Sequence, residues 1–317
     1  MKVRRLLYLF VFVLLGMASL PLVSTGAGAF SASAVSAKQG LSGTWTQEST
    51  TATATAVASD PTNGPLIAVV SGGIVYAKEG LSASWTVEDS STTATSVAVA
   101  SDKTNGPLIA VLDNGTVYAK EGLSSSWTTE ATGATAIAVA SDPTNGPLIA
   151  VLVGGTVYAK DGLSSSWTTE ATGATAIAVA SDATNGPLIA VLVGGTVYAK
   201  DGLSSSWTTE ATGASATAVA SDPTNGPLIA VVVGGILYAK DGLSSSWTVE
   251  DTSTTATSVA AASDPTNGPL IAVTDNGTVY AKDGLSSTWT TEYSGTVASV
   301  AVASDATNGP LIAVSHS

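Results

Sequence analysis

The chain has 317 residues, with 24 acidic and 11 basic side chains, one histidine and no cysteine. Three of the basic residues (Lys2, Arg4, Arg5) fall at the very start, so the rest carries eight lysines, no arginine and a net charge of −16. That balance argues against nucleic acid and anionic membrane surfaces, where affinity comes from basic side chains. The missing cysteine excludes disulfides, thiolate zinc sites, cysteine nucleophiles and a lipoprotein anchor.

In chain order, Lys2, Arg4 and Arg5 precede an apolar run from Leu6 to Leu15, Pro21 breaks it, and Ala27-Gly28-Ala29 offers a small-residue cleavage site. This is the pattern of a secretory signal peptide. The apolar core is short for a span of about 20 residues. Residues 1–29 are therefore expected to be a signal peptide, and 30–317 a single secreted domain with no membrane segment.

Beyond the leader the sequence is a repeat. Tryptophan recurs at Trp45, Trp85, Trp127, Trp167, Trp207, Trp247 and Trp289, in steps of 40 or 42 residues. Asn-Gly-Pro-Leu-Ile-Ala-Val recurs seven times, starting at Asn63, Asn105, Asn145, Asn185, Asn225, Asn267 and Asn308. Length varies only between the Trp and this motif, as expected of a loop. Such repeats cannot bury a core alone and stack into one body.

Each repeat contains four short apolar runs, rich in small and β-branched residues that favour strands. In the third, the first run is Ala134 to Ala140, with Ile137 and Val139 on one face and Ala136, Ala138 and Ala140 on the other. Pro143, Gly146 and Pro147 mark a loop, whose Asp142 is expected to cap it through an Asx-type hydrogen bond. The second run is Leu148 to Val153. Gly154-Gly155, replaced by Asn114-Gly115 and Asn276-Gly277 in two repeats, makes a two-residue hairpin turn. Thr156 to Lys160 is the third run, and Ser166 to Glu170, carrying the Trp, the fourth.

Four antiparallel strands in about 40 residues describe a propeller blade. The last repeat stops at Ser317 with only its first two strands. The segment from Ala34 to Trp45 supplies the last two, with Val35, Ala37 and Lys38 in the places of Val157, Ala159 and Lys160. The expected fold is all-β: a seven-bladed β-propeller of four-stranded antiparallel blades, its ring closed by N- and C-terminal strands sharing one blade. Closure would also satisfy both open sheet edges.

Catalytic chemistry finds little support. His316 is the only histidine, and one residue from the end it reads as a tail residue. No serine or threonine has a base beside it. Near-identical blades also give each carboxylate the same surroundings many times over, whereas paired acid chemistry needs two carboxylates in different environments. No enzyme activity, cofactor or metal site is expected. Lys160 could pair with a neighbouring Glu, but the blander reading of it and its counterparts is a solvated charge worth little.

The aromatic residues stand out. Tyr76, Tyr118, Tyr158, Tyr198, Tyr238 and Tyr280 recur in register with the seven tryptophans, and Ser36 takes the tyrosine place in the shared blade. One reading is packing in the wedge between blades; the other is a stacking platform for sugar rings. On Gly162-Leu163 through Trp167 and Gly155-Thr156-Val157-Tyr158, with their counterparts, the repeat resembles the tectonin and tachylectin kind of lectin propeller. No His-Gly or Trp-Asp pair of a WD40 repeat is present. The resemblance implies a secreted, multivalent carbohydrate-binding propeller with glycan partners. Its sites would use Trp45, Trp85, Trp127, Trp167, Trp207, Trp247 and Trp289 and the six tyrosines. A glutamate three residues after each Trp would bond sugar hydroxyls: Glu48, Glu88, Glu130, Glu170, Glu210, Glu250 and Glu292. The alternative is a non-catalytic structural or protein-interaction propeller; a secreted hydrolase fits least.

Overall fold

The computed structural model describes residues 33–317 apart from 124 and 286. The expected signal peptide lies outside the described residues. Seven blades surround a central axis, and every described strand pairs antiparallel to its sheet neighbours. Five blades are separate four-stranded sheets, and the other two merge into one seven-stranded sheet. The merger comes from a single long strand, Thr46–Asp60. Its first half pairs with Ser33–Gln39, through Ala37↔Thr46. Its second half pairs with Gly64–Ser71, through Ala52↔Ser71 to Asp60↔Gly64. One strand is thus the outermost of the closing blade and the innermost of blade 1.

The closing blade is the predicted composite. Val297–Asp305 and Gly309–His316 come from the C-terminus, and Ser33–Gln39 slots beside them in register from Ala34↔His316 to Gln39↔Leu311. Elsewhere the strands follow the sequence reading with small shifts. In blade 3 they are Ala134–Asp142, Gly146–Val153, Thr156–Asp161 and Thr168–Thr172. Trp167 sits just before the fourth strand, not within it. Pro147 lies inside the second strand, opposite Ser141, because only Pro143, Thr144 and Asn145 are needed to turn the chain. Gly146, at φ 78°, takes the left-handed conformation that ends such three-residue hairpin loops.

The core lies between blades. Blade 3 presents Ala136, Ala138, Ala140, Leu148, Ala150, Leu152, Val157 and Ala159 to blade 4, which answers with Ile177, Val179, Ile189 and Val191. Each blade therefore has a thin Ala/Leu face and a thick Ile/Val face, and thin packs on thick around the ring. This is the two-sided alternation legible in the first run. The row Ala138, Ala150, Ala159, cross-paired strand to strand, lets the backbones of adjacent blades approach closely where large side chains would hold them apart.

Candidate functional site

Each seam has the same polar assembly near the outer strands. In the seam between blades 2 and 3, Lys160 of blade 3 reaches back to the Glu130 carboxylate of blade 2. It also donates to the Leu163 carbonyl at 2.6 Å. The Trp167 ring lies 4.9 Å from the ammonium, and its indole N–H donates to the Glu130 backbone carbonyl at 3.2 Å. Equivalent ion pairs are Lys78–Glu48, Lys120–Glu88, Lys200–Glu170, Lys240–Glu210 and Lys282–Glu250, and Lys38–Glu292 completes the ring. All seven lysines stand 4.5–5.1 Å from their Trp rings. The indole-to-glutamate bond recurs for Trp45, Trp127, Trp207 and Trp289.

Burial makes these assemblies structural. The glutamate side chains are at most 1% exposed and the lysine side chains at most 5%. The solvated lysine of the sequence reading is thus corrected: its strand points it into the seam on the tyrosine side, where Glu, Trp and a carbonyl replace water. A lysine keeps its charge when buried only with such compensation. Sequence reasoning offered a Lys–Glu pairing but preferred solvated lysines, although a signal for the pair existed: seven lysines and seven glutamates recur one-to-one per repeat.

The structure brings the predicted residues together. Tyr158 and Trp167 pack on the core of the same seam as Ala131, next to Glu130. All seven tryptophans and Tyr76, Tyr118, Tyr158, Tyr198, Tyr238 and Tyr280 are half-buried. Their rings fill the outer wedge, as the packing reading requires. Glu48, Glu88, Glu130, Glu170, Glu210, Glu250 and Glu292 all face a lysine rather than solvent. Burial pushes the Glu250 and Glu292 carboxyls up, against the opposing pull of Lys282 and Lys38. In every one of these glutamates Oε1 has no hydrogen-bond partner.

A second ring links the blades where the first strand turns into the second. Asp142 accepts the backbone N–H groups of Thr144 and Asn145, both at 2.8 Å, which is the expected Asx-type cap. Ser181 of the next blade donates to its other oxygen. The same link runs from Ser141 to Asp102 at 2.5 Å and from Ser304 to Asp264 at 2.5 Å. It closes from Ser59 to Asp305. Among the described residues no cluster of acids, histidine or cysteine is arranged to hold a metal.

These acids titrate in opposite senses. Burial raises Asp60, Asp102, Asp182 and Asp264, but hydrogen bonds from the next blade's serine and from their own loops outweigh it and hold them below 3.8. Their stabilisation exists above the unfolded value and is lost as pH falls through the folded one. Asp161, Asp201, Asp241 and Asp283 are raised by burial and then by neighbouring carboxylates, as are Glu79 and Glu121. Ionising this second group opposes folding, so stability falls as pH rises through their raised values. Thermal melting should therefore pass through a maximum in the ordinary carboxylate range, at about pH 4, falling below it as the first group protonates and above it as the second ionises. A Tm climbing steadily to pH 7 would contradict the assignment.

His316 is not a free tail residue. It lies in the last strand, with Nε2 3.0 Å from Ser36 Oγ and its ring 4.6 Å from that of Tyr293. Ser36 replaces the usual tyrosine here, His316 stands where blade 3 has Val153, and Tyr293 where blade 2 has Ala131. Two enlargements compensate one reduction, so the closing seam keeps its volume with side chains no other seam has.

No protein-family model and no curated protein sequence matches the chain. Solved structures do match in fold. A chain in the structure titled "Crystal Structure of Mitotic Checkpoint Complex" is 17% identical with a TM-score of 0.59, covering 81% of this chain and 86% of that one. The RRP9 WD40 repeats are 14% identical with a TM-score of 0.53, covering 79% and 91%. YCF48 from Cyanidioschyzon merolae is 13% identical with a TM-score of 0.51, covering 82% and 94%. The chain lacks the WD40 dipeptide, so the likeness is one of architecture: this chain folds as a β-propeller similar to those of WD40 proteins.

Proposed function

We propose that this protein is a non-catalytic interaction propeller that binds other proteins through its loops. The observation that carries this reading is the fate of the repeated Trp, Glu and Lys: all three are used in holding blade to blade. A sugar platform needs a free aromatic face with polar groups beside it. Here the indole N–H, the lysine and the carboxylate are already engaged with one another. Its matched neighbours include a component of a protein complex, which accords with this reading. What solvent meets is a rigid ring of short loops bearing hydroxyls and carboxylates, suited to presenting a fixed pattern to a folded partner.

A glycan array probed with the intact chain should show no saturable binding. Co-purification from the native source, followed by re-binding of the purified candidate, should give a binary complex whose affinity falls with salt. Saturable glycan binding that is lost in Trp127→Phe and Trp167→Phe would overturn this reading in favour of the lectin one.

A further inference from the structure

Sevenfold repetition is broken in one way at two places. The 42-residue steps put a longer loop before blade 2 and before blade 6. The same two blades also differ in the hairpin between their second and third strands. Four blades turn there on Gly-Gly, as at Gly154-Gly155, but blade 2 turns on Asn114-Gly115 and blade 6 on Asn276-Gly277. The ladder ends at Asp113↔Thr116 and Asp275↔Thr278, so Asn and Gly are the whole turn. Both asparagines have φ 46°, and their glycines 78° and 77°, the left-handed pair of a type I′ turn. The longer loops reach onto these turns, where Thr93 donates to Asp113 and Thr255 to Asp275. With Asp89 and Asp251, those two aspartates are all the carboxylate side chains of this face among the described residues; the others lie in the seam pairs or at the opposite face.

All nine asparagines of the chain precede a glycine. That dipeptide is chemically exposed: with no Cβ on the second residue, its peptide nitrogen is open to approach by the asparagine carboxamide. Seven of the nine are held back. Asn145 Nδ2 donates to Asp142 at 3.0 Å, its backbone N–H donates to the same carboxylate at 2.8 Å, and Gly146 is cross-paired with Asp142. Asn63, Asn105, Asn185, Asn225, Asn267 and Asn308 repeat the side-chain bond at 2.9–3.0 Å. Exposure does not separate the two kinds, since Asn145 and Asn185 are exposed, as are Asn114 and Asn276. Hydrogen bonding does. Asp113 and Asp275 take their donors from Thr93 and Thr255, and neither the Asn114 nor the Asn276 carboxamide has a partner among the described residues. Gly115 and Gly277 stand outside the ladder.

We infer that Asn114 and Asn276 are self-modifying sites, at which the folded protein converts itself to aspartyl and isoaspartyl forms with water as the only reactant. The Gly115 nitrogen attacks Asn114 Cγ and gives up its proton to solvent. The new N–Cγ bond closes a five-membered succinimide, and the Cγ–Nδ2 bond breaks to release ammonia. Water then opens the ring at either carbonyl. Opening at Cγ leaves an aspartate; opening at the main-chain carbonyl leaves an isoaspartate, with the backbone running through Cβ and Cγ. Nothing is oxidised or reduced. Gly277 and Asn276 react in the same way. Each event sets a new carboxylate beside Asp113 or Asp275, so completing both raises the carboxylates of this face from four to six. The isoaspartyl form also lengthens the backbone of a turn that consists of two residues. A loop asparagine must first give up a hydrogen bond to a charged acceptor, which slows it by about 10–100-fold. The chemistry needs no partner and stands apart from the protein-interaction reading.

The folded chain, held warm at mildly alkaline pH, is followed by isoelectric focusing and peptide mass spectrometry. The parent should give way in succession to two more acidic species, one charge apart, with one ammonia released at each step. The modified peptides should be those holding Asn114 and Asn276, with the seven loop asparagines lagging by about 10–100-fold. The same chain denatured in urea should be modified at all nine, which shows that the conditions suffice. Asn114→Gly and Asn276→Gly each recreate the Gly-Gly turn of the four sister blades and so keep the fold. Each should remove one acidic step, and the double variant both. A folded chain that gains no acidic species while the denatured one does would overturn the inference. So would loop asparagines that react as fast as Asn114 and Asn276, or acidic steps that survive in the double variant.

Discussion

Replacing Lys160 with methionine is expected to destabilise the protein by about 3–5 kcal/mol, the usual consequence of leaving one member of a buried ion pair without its partner. Glu130 would stay in the seam between blades 2 and 3, with its side chain at most 1% exposed. Its Oε1 is already unpartnered in the intact protein, so nothing nearby could take over. The mutant should relieve this partly by protonating Glu130, because an unpaired buried carboxyl favours its neutral form. The double substitution Lys160→Met/Glu130→Leu removes both charges and keeps the volume. Such replacements are often neutral or stabilising, so the double mutant should recover to within about 1 kcal/mol of the parent or exceed it. Urea denaturation of the four proteins in this cycle measures the coupling directly. A single mutant within about 0.5 kcal/mol of the parent would mean that the pair is solvated. Equal losses in the single and double mutants would assign the effect to lost packing rather than to the orphaned charge.

The same seam shows what a sequence reveals and what it hides. Blade number and closure were readable because they depend on spacing and turn chemistry: the Trp ruler, the Gly-Gly and Asn-Gly turns, and two half-repeats at opposite ends. Alternation of Ile137 and Val139 with Ala136, Ala138 and Ala140 also translates directly into thick and thin blade faces. Side-chain partners are another matter. Lys160 and Glu130 are 30 residues apart and meet only because consecutive blades stack, so neither carries a local mark of burial. The Trp and Tyr positions were correctly grouped, but grouping cannot tell a wedge filler from a platform; that depends on where the neighbouring outer strand runs. His316 was obscure for a similar reason. Its ring is held by Ser36 and Tyr293, at 280 and 23 residues' distance in the chain, and only closure brings the three together.

The two broken seams make the converse point. Their insertions are plain in the sequence as 42-residue steps, and Asn114 and Asn276 as turn residues. What could not be read is that both sets of carboxylates come to one otherwise uncharged face, or that Thr92 and Thr254 hold left-handed backbone. A Cβ on Gly73 would come within 2.1 Å of the Thr92 carbonyl oxygen, and one on Gly235 as close to that of Thr254. The longer loop therefore folds tightly onto the preceding blade's hairpin.

A chain beginning at Gly40 should lose the closed ring. Removing Ser33–Gln39 takes away the third strand of the closing blade, so Gly309–His316 and the first half of Thr46–Asp60 are left facing a gap. Val35 and Ala37, both fully buried, leave the core, at about 2–4 kcal/mol. Lys38 leaves Glu292 buried and unpaired, at about 3–5 kcal/mol more. Against a total of about 5–15 kcal/mol for a folded domain, that loss is enough to unfold the protein or leave two exposed strand edges that recruit other chains. The truncated chain is expected to run as aggregates in size-exclusion chromatography and to lose its cooperative urea transition. Added in trans, the peptide Ser-Ala-Val-Ser-Ala-Lys-Gln should restore a monodisperse species and a transition that shifts with peptide concentration, because it stabilises by binding only the folded ring. The same peptide with Glu in place of Lys should fail, since it would set one buried carboxylate against another. A truncated chain that stays monodisperse and as stable as the parent would show that the ring holds without its N-terminal strand, and that the Lys38–Glu292 pair contributes nothing to closure.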